Sequence, residues 1–324
     1  MKKPIRKVLV TGCAGFIGSH ASEFLLSQGM EVIGIDNFDD FYPRSSKEQN
    51  LKQQLEHPRF TFYEADIRNE ETFRKLPADI DLVLHLAAKA GVRPSIKDPA
   101  AYISINIGGT QTILEWMAKT GIRKLIFASS SSVYGNSKTV PFSETDNVDQ
   151  QISPYAMTKK SCELLNYTYH HLYNVDVINL RLFTVFGPRQ RPDLAIRKFI
   201  ELIRQDLPVT LYGDGNSARD YTYVEDIVAG IYRSLQYLEQ QERVFEIINL
   251  GNHKPVLLHE LVDTLYDLLK KKKNVLMAPM QEGDVDLTCA NIDKAKHLLG
   301  YEPRTSLREG FRKFLDWMDL QPKK

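Results

Sequence analysis

Short apolar runs alternate with longer amphipathic stretches along the first half of the chain. The runs "KVLVTG", "EVIGIDN", "FTFYEAD", "DLVLHLAA", "KLIFASS" and "DVINLRL" read as strands, and stretches such as "SHASEFLLSQG" between them read as helices. Strand and helix in this regular beat predict a parallel α/β sheet, and right-handed crossovers put helices on both of its faces. The expected fold is therefore α/β and doubly wound. Past about residue 185 the beat loosens into longer segments. A smaller C-terminal lobe is expected there, interleaved with the first: residues 1–185 carry the main sheet and 186–324 most of the lobe.

Composition narrows the classes of function. With 324 residues and 43% hydrophobic content the chain can fill a sizeable core. Lys and Arg total 42 against 41 Asp and Glu, so there is no basic field to attract nucleic acid. The cysteines, Cys13, Cys162 and Cys289, are too scattered for a C-x-x-C metal site or a disulfide framework. No metal is expected, and a reducing cytoplasm fits. The apolar run in "MKKPIRKVLVTG" breaks at Thr11 and Gly12, too short for a signal segment or a membrane span.

Chemistry first appears in "TGCAGFIG", where Gly12, Gly15 and Gly18 lie between a strand and a helix that begins near Phe16. Glycines permit the tight turn and let backbone N–H groups, such as those of Phe16 and Ile17, reach a pyrophosphate at the helix N-terminus. Asp36, eighteen residues beyond Gly18, ends the next strand, where a carboxylate accepts from an adenosine ribose. An acid there repels a 2′-phosphate, so NAD is favoured over NADP. The G-x-x-G-x-x-G spacing resembles the short-chain dehydrogenase/reductase superfamily and implies a Rossmann-like sheet. "DNF" with Asn37, "EADIRN" with Asp66 and Ile67, and "HLAAKAG" with Leu86, Ala87, Ala88 and Lys89 extend the resemblance. It implies contacts from Asp66 and Ile67 to the adenine and from Leu86 to Lys89 to the nicotinamide half. His85 reads as a packed strand residue.

A second motif is "SPYAMTKK", whose Tyr155 and Lys159 are four apart and share a helix face. A phenol is a poor base at neutral pH until a nearby cation stabilises its phenolate; Lys159 is that cation. Upstream, "FASSSSVYG" puts four serines at a strand end, where parallel sheets bind ligands. One hydroxyl there can hold a substrate oxygen while Tyr155 exchanges its proton. Over nearly its whole length the chain resembles the extended short-chain dehydrogenases that modify nucleotide sugars. In that family the tyrosine takes the sugar 4-OH proton as hydride passes to tightly held NAD, and the 4-keto ring then turns and takes the hydride back on its other face. The S-x-x-V-Y-G frame implies Ser130 as the substrate-facing hydroxyl, with Ser131 as the alternative.

What is absent sharpens the reaction type. Related 4,6-dehydratases carry an Asp-Glu pair where Ser131 and Ser132 stand, and the decarboxylases have a Glu in place of Ser132. A four-electron 6-dehydrogenase needs a cysteine near the site for its thioester. Epimerisation needs only oxidation and its reversal. "RLFTVFGPRQRPDLAI" resembles UDP-glucuronate 4-epimerases, which implies that Thr184 and Arg191 hold the sugar carboxylate. The planar Arg fork suits both carboxylate oxygens. A clamp is needed because oxidation at C4 makes a β-keto acid that is prone to lose carbon dioxide. Galactose-type epimerases have Asn where Thr184 stands and usually Arg at Gln281.

The resemblance further implies Arg93 and Arg219 at the phosphates, Tyr212 near the uracil, Asp284 on a ribose hydroxyl, and a homodimer built through a four-helix bundle for which the Tyr155 helix is a candidate. The leading expectation is NAD-dependent epimerisation of UDP-glucuronate to UDP-galacturonate. Its rivals are a 4-epimerase of UDP-glucose or UDP-N-acetylglucosamine, and a non-catalytic regulator that only binds a dinucleotide.

Overall fold

A computed structural model describes residues 4–279 and 287–321. All six apolar runs form strands: β1 (Lys7–Thr11), β2 (Glu31–Asp36), β3 (Phe60–Glu64), β4 (Leu82–His85), β5 (Lys124–Ser130) and β6 (Asp176–Leu182). The second half adds β7 (Thr184–Phe186), β8 (Val209–Tyr212), β9 (Ala218–Tyr223), β10 (Phe245–Leu250), β11 (Pro255–Leu257) and β12 (Val275–Ala278). Seven strands make one sheet in the order β10-β6-β5-β4-β1-β2-β3, and every neighbouring pair runs parallel.

Apart from the edge strand β3, none of whose residues is buried, the apolar runs are near-continuous because both faces of this sheet are covered. Along β1, Val8 and Val10 pack into one core and Leu9 into another. The first core also takes in the helices Phe16–Ser27 and Val224–Gln240, which pack together with the Phe24 and Tyr232 rings edge-on at 5.2 Å. The opposite core takes in the helix Gly109–Thr120 through Ile113, Leu114 and Met117.

The later segments are interleaved with the earlier ones. β10 lies beside β6 at the sheet edge, while β11-β9-β7 and β12-β8 form two small sheets of their own. Asp220 on β9 ties this region together: its buried carboxylate accepts from the backbone N–H of Asn252 (2.6 Å), His253 (2.9 Å) and Ala290 (2.9 Å).

One buried ion pair joins the sheet to the helix Pro154–Tyr173. Arg181 on β6 donates to both oxygens of Glu163 at 2.9 Å, with side chains 1% and 2% exposed. Ser129 on β5 donates to the same carboxylate at 2.6 Å. Glu163→Gln leaves the guanidinium buried without its counter-charge, and is expected to cost about 3–5 kcal/mol in urea unfolding. A loss below about 1 kcal/mol, the value of a surface pair, would contradict this.

Candidate active site

β1 and β4 are neighbours, but the chain leaves β1 toward β2 and β4 toward β5. Their carboxyl ends therefore flank a crevice where strand order reverses, the usual ligand position in such sheets. A cleft of about 500 Å³ occupies it.

The glycine turn forms its first wall. Gly12 has φ +74°, a region that favours glycine, and a Cβ there would meet the Ala87 nitrogen at 2.8 Å. A Cβ on Gly18 would fall 2.0 Å from the Gly12 carbonyl oxygen. Only glycine closes this turn. Gly15 then caps the helix Phe16–Ser27, whose first turn carries no acidic side chain, so Phe16 and Ile17 present the positive end of the dipole to the cleft.

Asp36, Asn37, Asp66, Ile67 and the run Leu86, Ala87, Ala88 and Lys89 line the same cleft. The Asp36 carboxylate accepts from the backbone of Ala14 (3.1 Å) and Phe38 (2.9 Å), and burial raises its pKa. Arg68 donates to Asp66 at 2.7 Å and holds its carboxyl below the usual range. Lys89 pairs with Asp39 at 3.5 Å. These residues fit NAD: a cradle that admits no Cβ, an acid-free helix start, and the Tyr42 hydroxyl, buried in the cleft wall with no partner among the described residues.

Opposite stand Ser130, Tyr155 and Lys159. Ser153 caps the helix Pro154–Tyr173 by accepting from the Ala156 N–H at 3.1 Å, and Pro154 fills its first position. Tyr155 is thereby held in the first turn and Lys159 one turn later; both line the cleft. Lys159 is buried, donates to the Ala128 carbonyl at 2.8 Å and lies 4.9 Å from the Phe127 ring centroid. The Tyr102 ring stands edge-on to Tyr155 at 6.2 Å.

The four serines separate. Ser129 is buried and spent on Glu163. Ser130 points to the other side of β5, as strand alternation requires. Its Oγ accepts from the Ser132 N–H (3.2 Å) and Ser132 Oγ (2.9 Å), which leaves its own O–H to donate into the cleft. Ser129, Ser131 and Ser132 border the cleft as well.

Thr184 and Arg191 lie in the wall beside them. Arg191 is 17% exposed, with Asp193 held against its Nε (3.0 Å) and Nη2 (2.9 Å). Arg93 and Tyr212 come together, guanidinium to ring centroid 5.9 Å, and Arg219 donates to the Ala218 carbonyl at 3.0 Å. None of these three is among the residues lining the cleft. Asp284 and Gln281 lie outside the described residues.

His85 is packed, as its strand position suggests. Its ring nitrogens bond to Thr11 Oγ1 (2.7 Å) and Thr110 Oγ1 (3.0 Å), and burial pushes its pKa down to about 3. Asn106 was not singled out in the sequence. Its buried amide accepts from the Lys89 N–H (2.8 Å) and donates to the Lys89 carbonyl (3.0 Å) and Thr158 Oγ1 (2.9 Å). It thus clamps the loop after β4 to the helix Pro154–Tyr173. The signal was a lone amide inside the apolar stretch "YISINIGG".

Residues 9–314 match the family described as GDP-mannose 4,6 dehydratase. The UDP-glucuronate 4-epimerase of Thermodesulfobacterium geofontis is 43% identical over 95% of each chain. Among solved structures, UDP-glucuronic acid 4-epimerase from Bacillus cereus, in complex with UDP-glucuronic acid and NAD, is similar with a TM-score of 0.90 and 37% identity, over 97% of this chain and 99% of that one. UDP-glucose 4-epimerase from Thermotoga maritima, with UDP-glucose, has a TM-score of 0.88 and 32% identity, over 97% and 98%. Identity and coverage of this order, on a seven-stranded Rossmann-like sheet with the Tyr155 and Lys159 pair at its switch point, place the chain in the extended short-chain dehydrogenase/reductase family of nucleotide-sugar enzymes.

Proposed function

We propose that the protein is an NAD-dependent UDP-sugar 4-epimerase whose substrate is UDP-glucuronate, converted to UDP-galacturonate. The observation that carries the substrate is the position of Arg191 and Thr184 in one cleft with Ser130, Tyr155 and Lys159. Asp193 takes one edge of the Arg191 fork, and the donors that remain suit a substrate carboxylate better than a neutral hydroxymethyl group.

Bound NAD supplies a hydride acceptor that later returns the hydrogen to C4. The chain's residues do the rest. Ser130 donates to the 4-oxygen, Tyr155 takes its proton, and the Lys159 charge stabilises the phenolate that makes this possible. Arg191 and Thr184 hold the carboxylate so that the C5–C6 bond does not align with the C4 ketone. Arg93 and Arg219 are assigned to the diphosphate, Tyr212 to the uracil and Asp284 to a ribose hydroxyl. Residues 1–185 are assigned to cofactor and catalysis and 186–324 mainly to the nucleotide sugar.

The reading extends to a homodimer. The helix Pro154–Tyr173 leaves Leu164 (58%), Tyr167 (54%) and Leu172 (59%) exposed, and Ile103 is also uncovered at 44%. Apolar side chains at such spacing form a face suited to packing against another copy's helices. Leu164→Arg combined with Leu172→Arg is expected to give a monomer in light scattering; an unchanged mass places any interface elsewhere. Among the described residues no helix is long and apolar enough to cross a membrane, and the three cysteines are buried and unpaired. A cytoplasmic site of action is proposed on the unpaired cysteines, which suit a reducing compartment.

Incubation with UDP-glucuronate, UDP-glucose and UDP-N-acetylglucosamine in parallel, followed by NMR of the products, tests the substrate. Turnover of a neutral sugar alone would remove the role given to Arg191.

A further inference from the structure

The geometry points to Asp193 as a positioning residue that aims the Arg191 guanidinium and so sets how tightly the cleft holds a sugar carboxylate; this rests on the uronate reading above. A guanidinium can hold a carboxylate on either of two edges, Nε with Nη2 or the two Nη atoms together. Asp193 occupies the first, at 3.0 Å from Nε and 2.9 Å from Nη2. Nη1, on the second edge, makes no bond to Asp193, and Arg191 borders the cleft. The Phe41 ring, 5.0 Å from Cζ, covers one face of the plane and restricts its rotation.

The loop does not need this pair to keep its course. The Gln190 amide donates to the Val185 carbonyl (3.1 Å), Arg197 to the Gln190 carbonyl (2.8 Å) and Arg189 to Glu23 (2.7 Å), while the His20 ring bonds to the Pro188 carbonyl (2.9 Å). A partly exposed pair two residues apart also adds little to stability. What the pair does is fix a flexible side chain in one direction. Ligand binding then loses less rotamer freedom, and the guanidinium meets the sugar acid end-on. The opposite role, a placeholder carboxylate that the substrate must evict, gives the opposite sign on removal.

The test is calorimetric binding of UDP-glucuronate, UDP-glucose and UDP to Tyr155→Phe protein, where turnover is expected to be strongly slowed, with and without Asp193→Ala or Asp193→Asn. Asp193→Ala is expected to weaken UDP-glucuronate by about tenfold, Asp193→Asn by less, with UDP and UDP-glucose nearly unchanged. Unchanged or tighter binding of UDP-glucuronate overturns the proposal, and tighter binding identifies a placeholder. Equal weakening of all three ligands also overturns it, because the effect is then on the fold. Should the Tyr155→Phe parent bind UDP-glucuronate no better than UDP-glucose, the uronate reading fails first, visibly and without reference to Asp193.

Discussion

Tyr155→Phe is expected to lower kcat by about 10³-fold while UDP-glucuronate still binds, because only the proton transfer is removed. Other bases are engaged: of the cleft's carboxylates Asp36 accepts from Ala14 and Phe38, Asp66 from Arg68, and Asp39 pairs with Lys89. His85 is buried, both its ring nitrogens are engaged, and its pKa lies near 3, so it stays neutral and occupied at working pH. Ser130 accepts two hydrogen bonds from Ser132 and is left as a donor. Phenylalanine keeps the ring beside Tyr102 and removes the one oxygen that exchanges a proton. Steady-state kinetics together with a binding titration check this. A loss of kcat below about tenfold would move the proton to another group.

Arg191→Ala is expected to raise KM for UDP-glucuronate by about 10- to 100-fold, the value of a charge-assisted carboxylate contact, and to release carbon dioxide. With the clamp gone, the C5–C6 bond of the 4-keto acid can align with the ketone. Its electron pair then moves toward C4, the carboxylate departs as carbon dioxide, and C5 takes a proton to give a 4-ketopentose. Arg191→Lys should recover part of the affinity, since it keeps the charge and loses the fork. The readouts are KM and trapped carbon dioxide. Unchanged KM with no release would make Arg191 a bystander.

Much of this architecture was legible in local pattern. β1 to β6 are short runs with helices between them, and two covered faces explain why the runs other than edge strand β3 lack alternation. β10 was missed: "FEIINL" follows the long helix Val224–Gln240, and its place beside β6 is set by pairing across more than sixty residues, which no local window contains. The glycine turn and the Tyr155 and Lys159 pair were legible because their chemistry depends on fixed short spacings. Four consecutive serines were not separable by spacing. All four border the cleft, and hydrogen bonding separates them: Ser129 donates to Glu163, while Ser130 accepts from Ser132 and keeps its own O–H. Asn106 depends on tertiary approach, the Asp193 hold on Arg191 is local but set by side-chain directions that a residue pattern does not give, and the nearness of Arg93 to Tyr212 spans more than a hundred residues.

The most direct test follows the hydrogen at C4. UDP-glucuronate carrying deuterium at C4 is incubated with the protein, and the products are resolved by NMR. UDP-galacturonate that keeps its deuterium at C4, with none in the water, is the expected result, because the same hydrogen leaves and returns within one closed cleft. UDP-galacturonate with protium at C4, or no UDP-galacturonate at all, would contradict it.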